Sequence, residues 1–423
     1  MLICSRRALA RQFTPVALAA LLLAHATQAP AADALTLAQA QGLAMDDQPQ
    51  LQAQAAQVRA FDARAVSARQ LPDPQLVGGL ESLPVSGSEA FSLRRDDFTT
   101  LTVGVMQEFP LASKRELRGE KLRLMALGSQ DQLKELQRRI RRETGMAYLE
   151  LYLPVKADGL IEAMLGEAIR SRQATEIAYR AGKAEQADVL AADVALALLR
   201  DKQAEYQQMA EHARRHLARW IGPAADESLD ERAPSFAEPP ALEVILAALP
   251  RHPAVQVFER SRDIAQNGIA QAKQAYKPDW RVEFGYGHRL EYSDMVSLKV
   301  GIDLPVFTRN RQDSEASAAR EDAAQADSQH DDALRDLAAQ VSIAHHDWNR
   351  LSQRVRNFDE LVLPQARARV DAATISYGAG RTTLSALLDA HRSLLDVELQ
   401  RLTLAVDALR NRLTLDYFIG DAS

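Results

Sequence analysis

The sequence predicts a mainly α-helical chain that contributes four β-strands to a membrane β-barrel, and three observations support this fold class. The chain repeats one helix–strand–strand–helix–helix unit, its candidate strands alternate apolar and polar residues, and its longest helical stretches exceed those of ordinary globular domains. At 423 residues the chain could hold two or three ordinary domains, but the duplication favours two halves of one body.

An internal duplication organises the chain. The segment YRAGK at 179–183 recurs as YGAGR at 377–381, and WIG at 220–222 recurs as FIG at 418–420, at one common offset. We therefore expect a first repeat over residues 32–222, a linker over 223–240 and a second repeat over 241–420. Prolines near the start of each copy also match, Pro49 with Pro253 and Pro74 with Pro278.

The N-terminus has the pattern of a secretory signal peptide over residues 1–31. Three arginines precede an apolar stretch at 16–24, and small residues at 29–31 form a plausible cleavage site. Cleavage would remove Cys4, the only cysteine, so the mature chain would suit an oxidising envelope compartment. The net charge of −6 argues against a nucleic-acid partner.

Alternation of apolar and polar residues marks the strands. Residues 295–304 and 280–286 alternate most clearly, residues 100–109 repeat the pattern, and residues 76–80 are short and rich in glycine. The longer runs have about the length that a tilted strand needs to cross a bilayer. We expect apolar residues to face lipid and charged residues to face a wet lumen, although a soluble sandwich with one solvated face fits the same alternation. The predicted lumen residues are Arg281, Glu283, Lys299 and Asp303.

Long helical stretches follow each strand pair, at about 112–179 and 309–377. At about 1.5 Å per residue, each could reach on the order of 100 Å. Pro154 and Pro364 interrupt them and should kink or break the helix locally, because proline lacks the N–H that a helix needs. A further helix follows in each copy, at 185–220 and 383–418.

The last helix has the spacing of a coiled coil, because leucines recur every seven residues from 388 to 409. The core face of an ordinary helix would show nearly the same pattern. Gly182 and Gly380 stand where each helix pair must reverse, and glycine readily adopts the positive φ of such a turn.

Barrel closure requires several chains. Four strands cannot close a membrane barrel, and an open sheet edge is not viable in lipid because its backbone groups would stay unpaired. Three chains would supply twelve strands and twelve long helices. We therefore expect a trimeric 12-stranded barrel continued by a long α-helical coiled-coil barrel.

The duplicated unit, the Tyr-x-x-Gly-Lys/Arg motif at both turns and the closing Ile-Gly of each half resemble the TolC family of outer-membrane efflux factors over essentially the whole mature chain. Motifs at 71–74, 107–115 and 304–310 resemble the branch that partners cobalt–zinc–cadmium type exporters. By this resemblance, the periplasmic tip that closes the duct and docks the adaptor comprises Tyr179, Gly182, Lys183, Tyr377, Gly380 and Arg381.

The resemblance also implies function and partners. It implies a homotrimeric exit duct in outer-membrane lipid, with a helical barrel in the periplasm, that passively conducts heavy-metal cations. Its expected partners are a periplasmic adaptor, or membrane fusion protein, and an inner-membrane pump of the resistance–nodulation–division kind.

The sequence shows no catalytic constellation, so we expect neither enzyme activity nor a cofactor. His212 and His216 have the one-turn spacing of a chelating pair, but no third ligand stands nearby and a duct needs no tight site. We therefore predict no resident metal. Two other interpretations remain: a periplasmic coiled-coil adaptor, which would carry one helical hairpin within β domains, and a soluble coiled-coil structural protein.

Overall fold

The computed structural model describes residues 34–46 and 48–420. The predicted signal peptide lies outside these residues. The first half of the chain begins with two helices, continues with two strands and ends with two long helices. In order these are α1 (Leu37–Asp46), α2 (Pro49–Ser67), β1 (Gln75–Glu81), β2 (Thr100–Phe109), α3 (Ala112–Arg180) and α4 (Gln186–Ile221).

The second half repeats this order of elements. A π-helical turn, Phe358–Val362, divides its long helix in two. The repeat and linker boundaries remain predictions. The elements are α5 (Leu242–Ala248), α6 (Pro253–Gln274), β3 (Asp279–His288), β4 (Met295–Asp303), α7 (Gln312–Asn357), α8 (Leu363–Gly378) and α9 (Leu384–Ile419).

The helical pattern of residues 35–70 predicts one helix, whereas the structure has two, α1 and α2. Thr36 caps α1, because its Oγ1 accepts a hydrogen bond from the Gln39 N–H at 3.2 Å and the Gln39 side chain accepts one from the Thr36 N–H at 2.8 Å. Pro49 occupies the first turn of α2, where its missing N–H costs nothing. Proline thus begins a new helix here.

The two prolines of the long helices behave differently from each other. The break expected at Pro154 does not occur, since α3 runs through it for 69 residues. Pro154 is buried among packed side chains, and this packing on both sides holds the helix across one lost hydrogen bond. At Pro364 the interruption is present as the π-helical turn directly before α8, which absorbs the lost bond.

The strands form one antiparallel sheet in the order β1-β2-β3-β4. Each half contributes a hairpin, and the pairing of β2 with β3 joins the halves. Within the described part of the chain, β1 and β4 therefore each have one edge without a strand partner. All four strands lie where the sequence predicts them, and β1 is longer than the short run predicted.

The helices stand side by side as a wall. Beside the sheet the lateral order is α2, α3, α6 and α7, and nearer the turns it is α4, α3, α9 and α8. Because α3 spans both levels, it connects the whole wall. Each level is open at both lateral edges. No helix in residues 34–46 and 48–420 is both long and apolar enough to span a membrane.

A polar junction fixes the wall to the sheet. The Lys114 ammonium lies 2.7 Å from the Asp279 carboxylate and 2.6 Å from the Lys277 carbonyl oxygen. The other Asp279 oxygen accepts a hydrogen bond from the Leu111 N–H at 2.9 Å, just before α3. These bonds place the start of α3 against the start of β3.

Near the end of α9, a buried histidine connects α6 to α9. His252 caps α6, because its Nδ1 accepts a hydrogen bond from the Ala254 N–H at 3.2 Å, and its Nε2 donates one to the Tyr417 carbonyl oxygen at 2.9 Å. The bond accepted by Nδ1 requires a neutral ring, whereas Nε2 can donate to the Tyr417 carbonyl oxygen in either protonation state. Burial lowers the pKa of His252 to about 4, although the bond to Tyr417 opposes this shift.

This histidine should make stability depend on pH. Between pH 6.5 and 4 the unfolded chain takes up a proton at residue 252 that the folded chain does not. The stabilisation is therefore complete above about pH 6.5 and declines toward pH 4, by about 3 kcal/mol in all. His252→Asn keeps a capping acceptor without titrating, so it should unfold with a shallower pH dependence. Thermal unfolding of both proteins between pH 7.5 and 4.5 checks this, and equal slopes would refute it.

Candidate functional site

The candidate site has two parts, the helical turns at one end of the molecule and the polar face of the sheet near the other. The first turn, between α3 and α4, is closed by a Schellman motif. The Lys183 N–H donates to the Ala178 carbonyl oxygen at 2.8 Å, and the Gly182 N–H donates to the Tyr179 carbonyl oxygen at 2.9 Å. Gly182 has φ +72°, the left-handed conformation that this motif requires.

The second turn, between α8 and α9, repeats the motif. The Arg381 N–H donates to the Ser376 carbonyl oxygen and the Gly380 N–H to the Tyr377 carbonyl oxygen, both at 2.9 Å. Gly380 has φ +67°. In both turns, the next helix begins with a capping residue that the sequence analysis did not single out. These capping residues are Glu185, in a capping box with Asp188, and Thr383.

The predicted tip residues lie together within each turn but differ in packing. Tyr179 is exposed, whereas Tyr377 is partly buried against Ala192 of α4 and Leu384 of α9. The second turn thus packs against the first helix pair. Among the described residues, the side chains of Tyr179 and Tyr377, and the exposed side chains of Lys183 and Arg381, form no hydrogen bond or ion pair. They are therefore available to another chain.

Ion pairs hold the helices together above the turns. Arg172 joins α3 to α4 through Asp193 at 3.0 Å, and hydrogen bonding to that carboxylate raises the pKa of Arg172. Lys202 of α4 lies 3.1 Å from Asp396 of α9, which links the two helix pairs. Scattered charges on long helices gave no sequence signal for these links.

A groove runs between α4 and α9 with α3 as its floor, and its volume is about 650 Å³. Leu190, Val194 and Leu198 recur at every turn of α4 along this groove, and each is more than half exposed. Two basic side chains, Lys202 and Arg392, share the groove with five acidic ones. The acidic residues are Glu167, Asp201, Glu205, Asp389 and Asp396.

The four predicted lumen residues share the polar face of the sheet. Arg281 Nη1 lies 3.2 Å from the Asp303 carboxylate, and Lys299 Nζ lies 3.1 Å from the Glu283 carboxylate. A fifth charged residue, Glu81 of β1, lies 3.5 Å from Lys299 of β4 and was missed. The alternation of apolar and polar residues marks Glu81 only weakly, because Glu81 ends a short, glycine-rich strand.

The contact between Glu81 and Lys299 shows that the polar face is concave, since β1 and β4 are opposite edges of the sheet. Glycine permits this curvature. Gly104 and Gly285 face each other on β2 and β3, and a Cβ at Gly104 would lie only 2.7 Å from the Phe284 carbonyl oxygen.

The opposite, convex face is apolar and exposed. Leu298, Val300 and Ile302 are each more than half exposed along β4. Aromatic rings mark both ends of this band. Trp280 stacks on Phe109 at 4.8 Å near the helices, and Tyr286 lies six residues further along β3, a span of about 20 Å. An apolar band between aromatic girdles is typical of the lipid-facing surface of a membrane sheet.

The histidine pair has no third ligand grouped with it among the described residues. His216 Nδ1 lies 2.6 Å from the Glu150 carboxylate on α3 rather than sharing a ligand with His212. In the part of the chain that the structure describes, no group of three or more His, Cys, Asp or Glu side chains is placed to hold a metal ion.

Comparison with known proteins agrees with this geometry. Residues 244–421 match the outer membrane efflux protein family. Over 399 residues, the chain is 26% identical to cobalt-zinc-cadmium resistance protein CzcC of Cupriavidus metallidurans, covering 92% of this chain and 91% of that protein. The second half of the chain is thus similar to the outer membrane efflux protein family, and nearly the whole chain is similar to CzcC.

Solved structures of CusC and VceC have the same fold as this chain. CusC superimposes with a TM-score of 0.77 at 17% identity, over 91% of this chain and 92% of its own. The outer membrane protein VceC of Vibrio cholerae gives 0.76 at 18% identity, over 91% and 96%. The predicted fold class, a membrane sheet continued by a long helical body, is confirmed, and so are the outer-membrane location and the periplasmic helices.

The glycine of the second turn should be needed for its conformation. Gly380→Ala should weaken the turn by about 1 kcal/mol, because alanine disfavours positive φ. Gly378→Ala is the matched control, since Gly378 ends α8 and its added Cβ meets nothing within 4 Å. Hydrogen exchange of amides 376–384 should be faster only in Gly380→Ala. Equal protection in both variants would show that the turn does not depend on glycine.

Proposed function

We propose that this chain is an outer membrane efflux protein that forms the trimeric exit duct of a tripartite efflux system, and that it passively conducts heavy-metal cations. The duct would receive them from a periplasmic adaptor and an inner-membrane pump and release them outside the cell. The observation that carries the proposal is a sheet with an apolar convex face, a charged concave face and two unpaired edges, continued by helices about 100 Å long.

The unpaired edges support an assembly of several chains. In lipid, every backbone N–H and C=O must be satisfied by protein, so β1 and β4 need partners. Antiparallel pairing of β4 with β1 of a neighbour satisfies both edges at once. Three chains give twelve strands, an even number as in bacterial outer-membrane barrels, and the open edges of the helical wall close in the same ring.

The concave face supports cation passage. Glu81, Glu108 and Glu283 share this face with Asp303, against two basic residues, Arg281 and Lys299. Asp279 of β3 has the same parity, but Lys114 of α3 balances its charge. The face therefore carries two more negative than positive charges per chain, and a ring of three chains multiplies this excess. A negative lumen raises the local concentration of cations without binding them tightly. The similarity to a cobalt-zinc-cadmium resistance protein supports metal cations as the substrate class.

Strand parity should decide tolerance to charge. Leu298→Arg would place a cation against lipid and should cost about 2–4 kcal/mol near the bilayer midplane. Ser297→Arg is the matched control on the adjacent, concave-facing position and should fold nearly as well as the original chain. Refolding into lipid vesicles, followed by urea titration, compares the two. If Leu298→Arg is the better tolerated variant, the assignment of faces is wrong.

The turns are placed to close the far end of the duct. Tyr179, Lys183, Tyr377 and Arg381 have no side-chain hydrogen-bonding partner among the described residues of their own chain. Contacts to neighbouring chains would be individually weak, so several of them around the ring would hold a closed end that remains reversible. Such a balance lets adaptor binding shift the duct toward an open state.

The groove between α4 and α9 supports an adaptor with a particular chemistry. Its apolar stripe, with Leu190, Val194 and Leu198, suits the apolar face of a helix, and its acidic excess suits a basic flank. The adaptor hairpin would lie along this groove just above the turns. If this chain were an adaptor or a soluble structural protein, the apolar convex face of the sheet would be unexplained.

Loosening the second turn should open the duct. The double variant Tyr377→Phe/Arg381→Gln removes the Tyr377 hydroxyl and the Arg381 charge without disturbing Gly380, so we expect higher single-channel conductance in planar bilayers with the assembly intact. Tyr179→Phe/Lys183→Gln is the comparison at the first turn, which does not pack on a neighbouring helix pair. Unchanged conductance in both double variants would place the closure elsewhere in the tube.

A further inference from the structure

We propose that neighbouring chains join β4 to β1 in one register, in which Lys299 lies directly opposite Glu81 of the next chain. This inference rests on the proposed trimeric duct and specifies how its barrel closes. The barrel lumen would then carry a ring of ion pairs, and each pair would join two neighbouring chains. Glu81 is a member of this ring that the sequence did not reveal.

The internal duplication supplies the template. Strand β2 belongs to the first copy and β3 to the second, so their pairing joins one copy to the next. In a closed ring of copies, the pairing of β4 with β1 of the next chain is the same kind of junction. The register seen between β2 and β3 therefore predicts the register between chains.

Two pairs of prolines transfer this register between the copies: Pro74 matches Pro278, and Pro110 matches Pro305, since these two follow the second strand of each copy. Phe109, directly before Pro110, is opposite Trp280, two residues after Pro278. The residue directly before Pro305 is Leu304, and the residue two positions after Pro74 is Leu76. The repeat thus sets Leu304 opposite Leu76 of the neighbouring chain.

Antiparallel pairing carries the register along the strands. Five residues from Leu304 toward the far end of β4 is Lys299, and five residues from Leu76 along β1 is Glu81. The same register places Val300 opposite Leu80 on the convex face. Faces therefore match along the whole junction, and the two unlike charges meet on the concave face.

The contact within a single chain shows that these two side chains can reach each other and form an ion pair. Lys299 Nζ lies 3.5 Å from Glu81 Oε1 of its own chain, and both side chains are about half exposed. A lone chain has no neighbour at either edge, so the curled sheet brings its own edge charges together. In the ring, each Lys299 instead meets the Glu81 of the chain beside it while retaining Glu283 at its other side.

Two slipped registers provide the natural controls. When the two hairpins are aligned on the matched prolines, their pairing registers differ by two residues. Leu76 is opposite Val105 in the first hairpin, whereas Trp280 is opposite Ile302 in the second. A slip of two residues keeps every side chain on its face. It would set Lys299 opposite Gly79, or Gly301 opposite Glu81, of the neighbouring chain.

Cysteine cross-linking between different chains tests the register. Cys4, the only cysteine, lies in the predicted signal peptide, so the mature background has no thiol. Chains carrying Glu81→Cys and Lys299→Cys, with different affinity tags, are co-expressed and oxidised in the membrane. Because each chain has one cysteine in the barrel, a disulfide between positions 81 and 299 must join two chains. We expect a covalent dimer at least about tenfold stronger than from Gly79→Cys with Lys299→Cys or Glu81→Cys with Gly301→Cys, because a disulfide needs Cβ atoms about 3.8 Å apart.

The outcomes separate this inference from the function it rests on. Stronger cross-linking of either slipped pair would overturn the register while leaving the trimeric duct intact. A second result would also overturn the register. In this result, a chain that carries both Glu81→Cys and Lys299→Cys forms only a disulfide within itself, although the assembly has the mass of a trimer. A particle of one chain that gives no dimer with any pair would instead overturn the proposed duct, and the register with it.

Discussion

The constraint on which the structure depends is the need to satisfy every backbone hydrogen-bonding group of a sheet that lies in lipid. Two hairpins satisfy the inner strands, but β1 and β4 each keep one free edge. The charged concave face, the apolar convex face and the lateral openness of the helical wall all fit a chain that completes itself only beside its neighbours. The glycines opposite each other on β2 and β3 allow the curvature that such a ring needs.

Rigidity and mobility are divided along the molecule. The Lys114–Asp279 bond and the buried His252 cluster fix the helices to the sheet and to one another. The far ends, in the part of the chain that the structure describes, are held by surface ion pairs and one small apolar cluster around Leu384. Exposed ion pairs contribute little each, so the ends of the helix pairs are the part that a partner can shift at low cost. A duct that opens at one end and stays sealed in lipid at the other needs this division.

Much of the architecture could be predicted because it follows from periodicity and from glycine chemistry. Alternation placed Lys299 and Val300 on opposite faces, and positive φ at Gly182 and Gly380 follows from the turns they close. Other features depend on tertiary packing, which a sequence does not display. Pro154 stays helical because its surroundings are packed, Tyr377 is half-buried while Tyr179 is not, and Glu81 meets Lys299 only because the sheet curls.

The central claim is that one chain is an incomplete barrel. The most direct test is the mass of the protein extracted from the outer membrane in mild detergent, measured by analytical ultracentrifugation with the bound detergent subtracted. The account predicts a particle of three chains that persists on dilution, because separation would expose six sheet edges. A stable particle of one chain that still conducts ions in a bilayer would contradict it, since a single chain would then have closed its own sheet.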